Sequence, residues 1–172
     1  KQSKGVSIAH FLNLEANEIV TATIPVDTFE SDEFLFMATR NGTVKKTCLR
    51  EFIHFKNRPI IAINLDEGDQ LKWVQRTTGK KHIVLVTSNG MVIRFDEDQI
   101  RPMGRATRGV RGIKIKPEDQ LISMDVIDHE ETNLHLLIVT RLGYGKNIKV
   151  GEFKGQGRGG IGVRCLRFRK TI

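Results

Sequence analysis

The chain has 172 residues, enough for one well-formed core and too few for two ordinary domains, so it reads as a single domain. Apolar residues supply 39% and charged residues 28%, which excludes wholesale disorder and leaves no apolar run of the roughly 18 residues that a membrane span needs. Lys and Arg outnumber Asp and Glu 28 to 20, a formal net charge of +8 that favours a polyanionic partner over a cationic one.

Taken in chain order, Lys1-Gln2-Ser3-Lys4 runs straight into a strand-like segment, Val6 to Leu14, without the basic-then-apolar opening of a targeting signal. A second strand-like segment, Ile19 to Ile24, follows. Phe34-Leu-Phe-Met-Ala-Thr39 is a run of apolar residues ending in Thr, expected to be a strand buried on both faces. Asn41-Gly42 then predicts a two-residue type I′ turn. The hairpin partner, Thr43 to Lys46, is short and amphipathic, with its basic side chain expected to face solvent. One helical turn is expected from Thr47 to Phe52, and strands at Ile60 to Leu65 and Gln70 to Val74.

The same order then recurs. Ile83-Val-Leu-Val-Thr87, Asn89-Gly90 and Met91 to Arg94 repeat the hairpin, as do Leu136-Leu-Ile-Val-Thr140, Gly143 and Tyr144 to Lys146. The three glycines lie 48 and then 53 residues apart, and each is followed ten positions on by a large apolar residue, Phe52, Ile100 and Phe153. The third strand recurs as Val110 to Ile115 and Ile161 to Leu166, and the fourth as Gln120 to Met124. A helical turn is expected at Asp96 to Gln99. Four short strands per period of about 50 residues form a blade-like unit, so the expected fold is all-β. The expected division is 1–29 as the end of a blade, 30–79 and 80–131 as whole blades, and 132–172 as an incomplete one. Both ends falling inside a unit implies a piece of a longer array.

Charge is unevenly spread. Residues 1–33 hold two lysines against six acids, whereas residues 140–172 hold nine basic residues against Glu152 alone. From Arg101 to Lys116 there are six basic residues and no acid, interleaved with glycines that let a backbone approach phosphates while guanidinium forks bind their oxygens. One Trp and one Tyr leave little for stacking on single strands, and no recognition helix is visible. Sequence-tolerant contact with a duplex backbone is what remains. Within the first unit the counterpart, Phe55 to Pro59, is less basic.

Gly155-Gln-Gly157-Arg-Gly-Gly160 fits G-x-G-x-x-G, but a strand-like segment follows where a dinucleotide site needs a helix, so it reads as a basic connection. The five histidines, His10, His54, His82, His129 and His135, show no metal-ligand spacing. Cys48 and Cys165 lie far apart outside any Cys-x-x-Cys, as reduced cysteines of a cytosolic protein do. No catalytic residues, metal or cofactor are expected.

Phe36-Met-Ala-Thr-Arg-Asn-Gly-Thr-Val-Lys-Lys-Thr47, Ile61-Ala-Ile-Asn-Leu-Asp-Glu-Gly-Asp69 and Arg101-Pro-Met-Gly-Arg-Ala-Thr-Arg-Gly-Val-Arg-Gly-Ile113 closely resemble the family of C-terminal domains found in DNA gyrase A proteins, and the likeness extends over essentially the whole chain. The resemblance implies a β-pinwheel, here partial: a disc of four-stranded blades that exchange strands with their neighbours and bend duplex DNA around a basic rim. It implies a non-catalytic part of an ATP-dependent type IIA topoisomerase, cytoplasmic and nucleoid-associated in a bacterium or organelle. The partners it implies are double-stranded DNA, the rest of the gyrase A protein, and the ATP-binding gyrase B protein. The family's signature heptapeptide, Gln-basic-Arg-Gly-Gly-basic-Gly, belongs to its first blade, which this chain is expected to lack; Gln156-Gly-Arg-Gly-Gly-Ile-Gly162 is a degenerate echo of it, with Gly157 and Ile161 where basic residues stand in the family. Tyr144 does not lie in the family's cleavage motif. The expected phosphate partners are Lys45, Lys46, Arg94, Arg101, Arg105, Arg108, Arg111, Lys146 and Arg158. The equivalent C-terminal domain of topoisomerase IV and a protein-interaction propeller are the alternatives, and open strand edges allow self-association by strand exchange.

Overall fold

A computed structural model describes residues 5–7, 12, 14, 17–53, 59–131 and 133–167. Among these residues there are ten strands: β1 (Phe34–Thr39), β2 (Thr43–Cys48), β3 (Leu71–Thr77), β4 (Lys81–Thr87), β5 (Met91–Asp96), β6 (Val110–Arg111), β7 (Leu121–Asp128), β8 (His135–Val139), β9 (Gly145–Lys149) and β10 (Val163–Arg164). A single 3-10 turn follows the second strand of each hairpin, at Leu49–Phe52, Glu97–Gln99 and Val150–Glu152. Among the described residues there is no α-helix, as expected, and none long and apolar enough to cross a membrane.

The strands form two four-stranded sheets, β3-β1-β2-β6 and β7-β4-β5-β10, and a two-stranded sheet, β8-β9. The fourth strand of each larger sheet arrives from beyond the next hairpin: β6 pairs with β2 through Thr43↔Arg111, and β10 with β5 through Met91↔Arg164. Strand exchange therefore crosses the expected boundaries at 79/80 and 131/132. No strand forms at 60–65 or in the described part of 6–24; the rest of the Val6 to Leu14 expectation lies outside the described residues, as do residues 55–58.

β4 is apolar on both faces because a core lies on each side of it. Ile83 and Leu85 of β4 join Phe36, Ala38 and Val44 in one core between the two larger sheets. Val84 and Val86 turn the other way, against Ile148, Val150 and Phe153 of the third unit. The period-2 geometry of a strand divides β4 between the two cores. By contrast, β8 alternates between exposed and half-buried, so the expectation of a third fully buried strand is not met.

The hairpin turns also differ from expectation. Glu118 is the only non-glycine with positive φ among the described residues, so Asn41 and Asn89 do not occupy the left-handed region that a type I′ turn requires. Instead Gly42, Gly90 and Gly143 donate their N–H to the carbonyls of Thr39, Thr87 and Thr140 at 2.9 to 3.0 Å, and each glycine then takes positive φ. The threonine hydroxyls accept from the N–H of Thr43, Met91 and Tyr144, which explains the Thr at the end of β1 and β4 and directly after β8. Asp69 and Asp119 complete the turns. Each carboxylate accepts two backbone N–H groups, those of Asn41 and Gln70 or of Asn89 and Gln120.

Candidate nucleic-acid interface

The expectation that the second hairpin strand turns its basic side chains outward fails for Lys45 and Lys46. Lys45 is fully buried, because β2 is an inner strand covered on both faces. Its ammonium donates to the carbonyls of Ala62 at 2.7 Å, Thr107 at 3.3 Å, and Arg105. Loss of solvation, with a smaller contribution from the Arg105 guanidinium, holds its pKa down to about 8. Lys46, also buried, donates to the backbone carbonyl of Glu97 at 3.0 Å and lies 3.8 Å from its carboxylate and 5.2 Å over the Phe34 ring. Burial lowers its pKa while Glu97 opposes the shift. Arg94, at the same register in the second unit, is half-buried. Lys146, at the register of Lys45, is exposed and donates to the Cys165 carbonyl at 2.9 Å.

These lysines organise the basic loop rather than extend it. Lys45 gathers two of the loop's carbonyls, the Met103 N–H donates to the Lys46 carbonyl, and Asn64 binds Ala106 and Thr107. So fixed, the loop leaves Arg101, Arg108 and Arg111 exposed and Arg105 half-buried. The segment holds no acid of its own, but the fold supplies one: Asp66 lies 3.1 Å from the Arg108 guanidinium in an exposed pair, a geometry worth little in water.

The glycine-rich stretch is a strap between units. Gly159 N–H donates to Gly112 O at 2.6 Å, and Lys114 N–H to Gly160 O at 2.8 Å. Arg158 is held at both ends, its Nε donating to Gln99 O at 3.1 Å and its Nη1 to Arg111 O at 3.4 Å. The strap thereby places Arg158 across the backbone of Arg111, with exposed Lys114 beside them.

One residue escaped the sequence reading. Aligning Val110 with Ile161 put the third strands two positions out of register, whereas β6 and β10 match Val110 with Val163 and therefore Arg111 with Arg164. The 53-residue offset between Gly90 and Gly143 carries the same information. Arg164 is exposed, as Arg111 is. The histidines also regroup: His82 and His129 meet at Asp96, although His10 and His54 lie outside the described residues.

The family described as "DNA gyrase C-terminal domain, beta-propeller" matches residues 33–78, 81–128 and 134–171. The DNA gyrase A protein of Salmonella typhimurium is 42% identical over 165 residues, 96% of this chain and 18% of that protein. Its Synechocystis counterpart is 33% identical over 98% of this chain and 23% of its own length. The chain thus spans about a fifth of these curated relatives. A crystal structure of the C-terminal domain of DNA topoisomerase IV superposes with a TM-score of 0.90 at 32% identity, covering 96% of this chain and 51% of that one. A DNA gyrase A C-terminal domain structure gives 0.81 at 23% identity, over 94% and 53%, a likeness of fold.

Proposed function

The chain belongs to the family of DNA gyrase C-terminal domains, and from that premise we propose that it binds duplex DNA through phosphates along an arc of exposed basic residues and bends it. The observation that carries the reading is the repeat of Arg111 at Arg164, with Arg158 strapped across the first of the two. Spacing at blade intervals suits a curved duplex. Bending 20 to 30 base pairs by 40 to 90° costs on the order of 1 to 6 kcal/mol, so contacts must be distributed along the arc for the bent form to prevail. Arg101, Arg111, Arg158, Arg164, Lys114 and Lys116 are the direct phosphate partners, with Arg94, Arg105, Arg108 and Lys146 flanking them. Lys45 and Lys46 act from inside, by positioning the loop.

In the full enzyme, the domain presents curved DNA to the cleavage core formed by the rest of the gyrase A protein, while the gyrase B protein supplies ATP-driven strand passage, so that negative supercoils accumulate. No residue of this chain is assigned a catalytic step. The setting is the cytoplasm of a bacterium or organelle, on nucleoid DNA. The same exchange that delivers β6 and β10 offers β8-β9 a route to pairing with a second copy. The 0.90 superposition with the topoisomerase IV domain supports a second reading, in which the same surface serves the equivalent C-terminal domain of a topoisomerase IV.

The test is a band-shift comparison of several unrelated duplexes with the wild type and an R111A/R158A/R164A variant. Affinity should fall for all duplexes alike, by about tenfold or more. A loss confined to one sequence would show base readout and contradict the proposal.

A further inference from the structure

From the convergence of His82, Asp96 and His129 at one end of the second blade, we propose a binding site for a divalent transition-metal ion of the zinc class, separate from the DNA surface. His82 stands in β4 directly opposite Asp96 in β5, and His129 follows β7, whose last residue, Asp128, pairs with Lys81. Three adjacent strands thus each deliver one ligand to the same point. The carboxylate Oδ1 of Asp96 lies 2.7 Å from Nδ1 of His82 and 3.3 Å from Nε2 of His129, and all three donor atoms fall within 4.8 Å of one another. Four-coordinate zinc with bonds near 2.0 to 2.2 Å separates its ligands by about 3.3 Å, a spacing that the His129–Asp96 contact matches and that the 2.7 Å His82–Asp96 contact would widen to reach.

Two features distinguish this cluster from an ordinary histidine–carboxylate contact. His82 Nδ1 and Asp96 Oδ1 are both buried, and neither has a hydrogen-bond partner despite their 2.7 Å approach, so that approach is not aligned as a hydrogen bond. Buried polar atoms left in that condition are costly, and an ion shared between them would satisfy both. His129, from the end of β7, brings a second imidazole nitrogen to the same carboxylate oxygen. Two imidazoles and one carboxylate suit zinc, cobalt or nickel rather than magnesium or calcium.

The rings of His82 and His129 are stacked 3.8 Å apart and within 3° of parallel, so their in-plane lone pairs run side by side. Seating an ion requires the stack to open. His129, with 47% of its side chain exposed, is free to make that rotation while the more buried His82 stays in place. The fourth coordination position then faces solvent and takes a water. A bound ion would tie β4, β5 and the end of β7 together.

The experiment titrates the untagged full chain with Co²⁺, read by its visible absorption, followed by displacement with Zn²⁺ and by thermal unfolding. One saturable site and a Zn²⁺-dependent rise in unfolding temperature are expected, with H129A and D96N each weakening the affinity at least about tenfold. Far-UV circular dichroism and duplex affinity of both variants should match the wild type, which separates loss of ligands from loss of fold and leaves the DNA reading independent. Absence of saturable Co²⁺ binding, or binding unchanged in either variant, would overturn the proposal.

Discussion

Lys45 carries its charge into the interior of the protein, and the consequence is measurable through pH. Its pKa of about 8 in the folded state lies below the 10.5 of an exposed lysine, so between those values the unfolded chain binds more protons than the folded one. Stability from this group therefore rises as pH increases from about 8 to 10.5, while below 8 the cost of burying the ammonium is present in full. The wild type should gain urea resistance over that window relative to a K45M variant, and parallel pH curves for the two proteins would contradict the assignment. K45M should also weaken duplex binding, because the carbonyls of Arg105 and Thr107 lose the donor that fixes the loop. The sequence placed Lys45 on the right strand. It could not place it on a covered face, since amphipathic alternation in a four-residue segment does not reveal which face a neighbouring blade will cover.

At the scale of elements, strand exchange depends on single positions. Gly109, with φ of +93°, runs so close to β2 that a Cβ would meet the Val44 carbonyl at 2.5 Å, and Gly162 occupies the same relation to Val92 of β5. G109A should cost more than about 1 kcal/mol through the left-handed strain alone, and more if β6 detaches. Chemical denaturation gives the loss, and hydrogen exchange at the N–H groups of β2 shows whether β6 has come away. The contact between the first two units has its own anchor, since buried Glu97 accepts from the Thr77 hydroxyl and the Lys81 N–H with Lys46 beside it. Removing one member of a buried pair costs about 3 to 5 kcal/mol, so E97A should be strongly destabilised by denaturant titration, and a K46M/E97L double variant should recover part of the loss. The repeated hairpins and the short turns after them were legible because apolar runs, Thr-x-x-Gly spacing and a large residue ten positions on are all local signals. The two-residue strands β6 and β10 were not: their pairing is dictated by contacts with a hairpin earlier in the chain, and the run Ile60 to Leu65, equally strand-like in composition, forms none.

For the molecule as a whole, two cores share β4, and the basic loops lead from one unit to a strand paired with the unit before it. Basic side chains from successive units are thereby brought together. Arg111 belongs by sequence to one unit and Arg158 to the next, yet their loops are clipped together through Gly159 and Gly112. The overall charge and the run from Arg101 to Lys116 favour a polyanionic partner already at the level of composition. That Lys45 and Lys46 are buried while Arg101, Arg108 and Arg111 are exposed required the fold. The central claim, that exposed basic residues neutralise duplex phosphates without reading bases, is tested most directly by the salt dependence of duplex affinity, measured by fluorescence anisotropy from 50 to 200 mM salt. Six phosphate contacts predict a log–log slope of about −5 and a loss of about 10³ in affinity over that range, with the slope becoming shallower by about 3 in R111A/R158A/R164A. A slope near zero, or one that the three substitutions leave unchanged, would contradict the account.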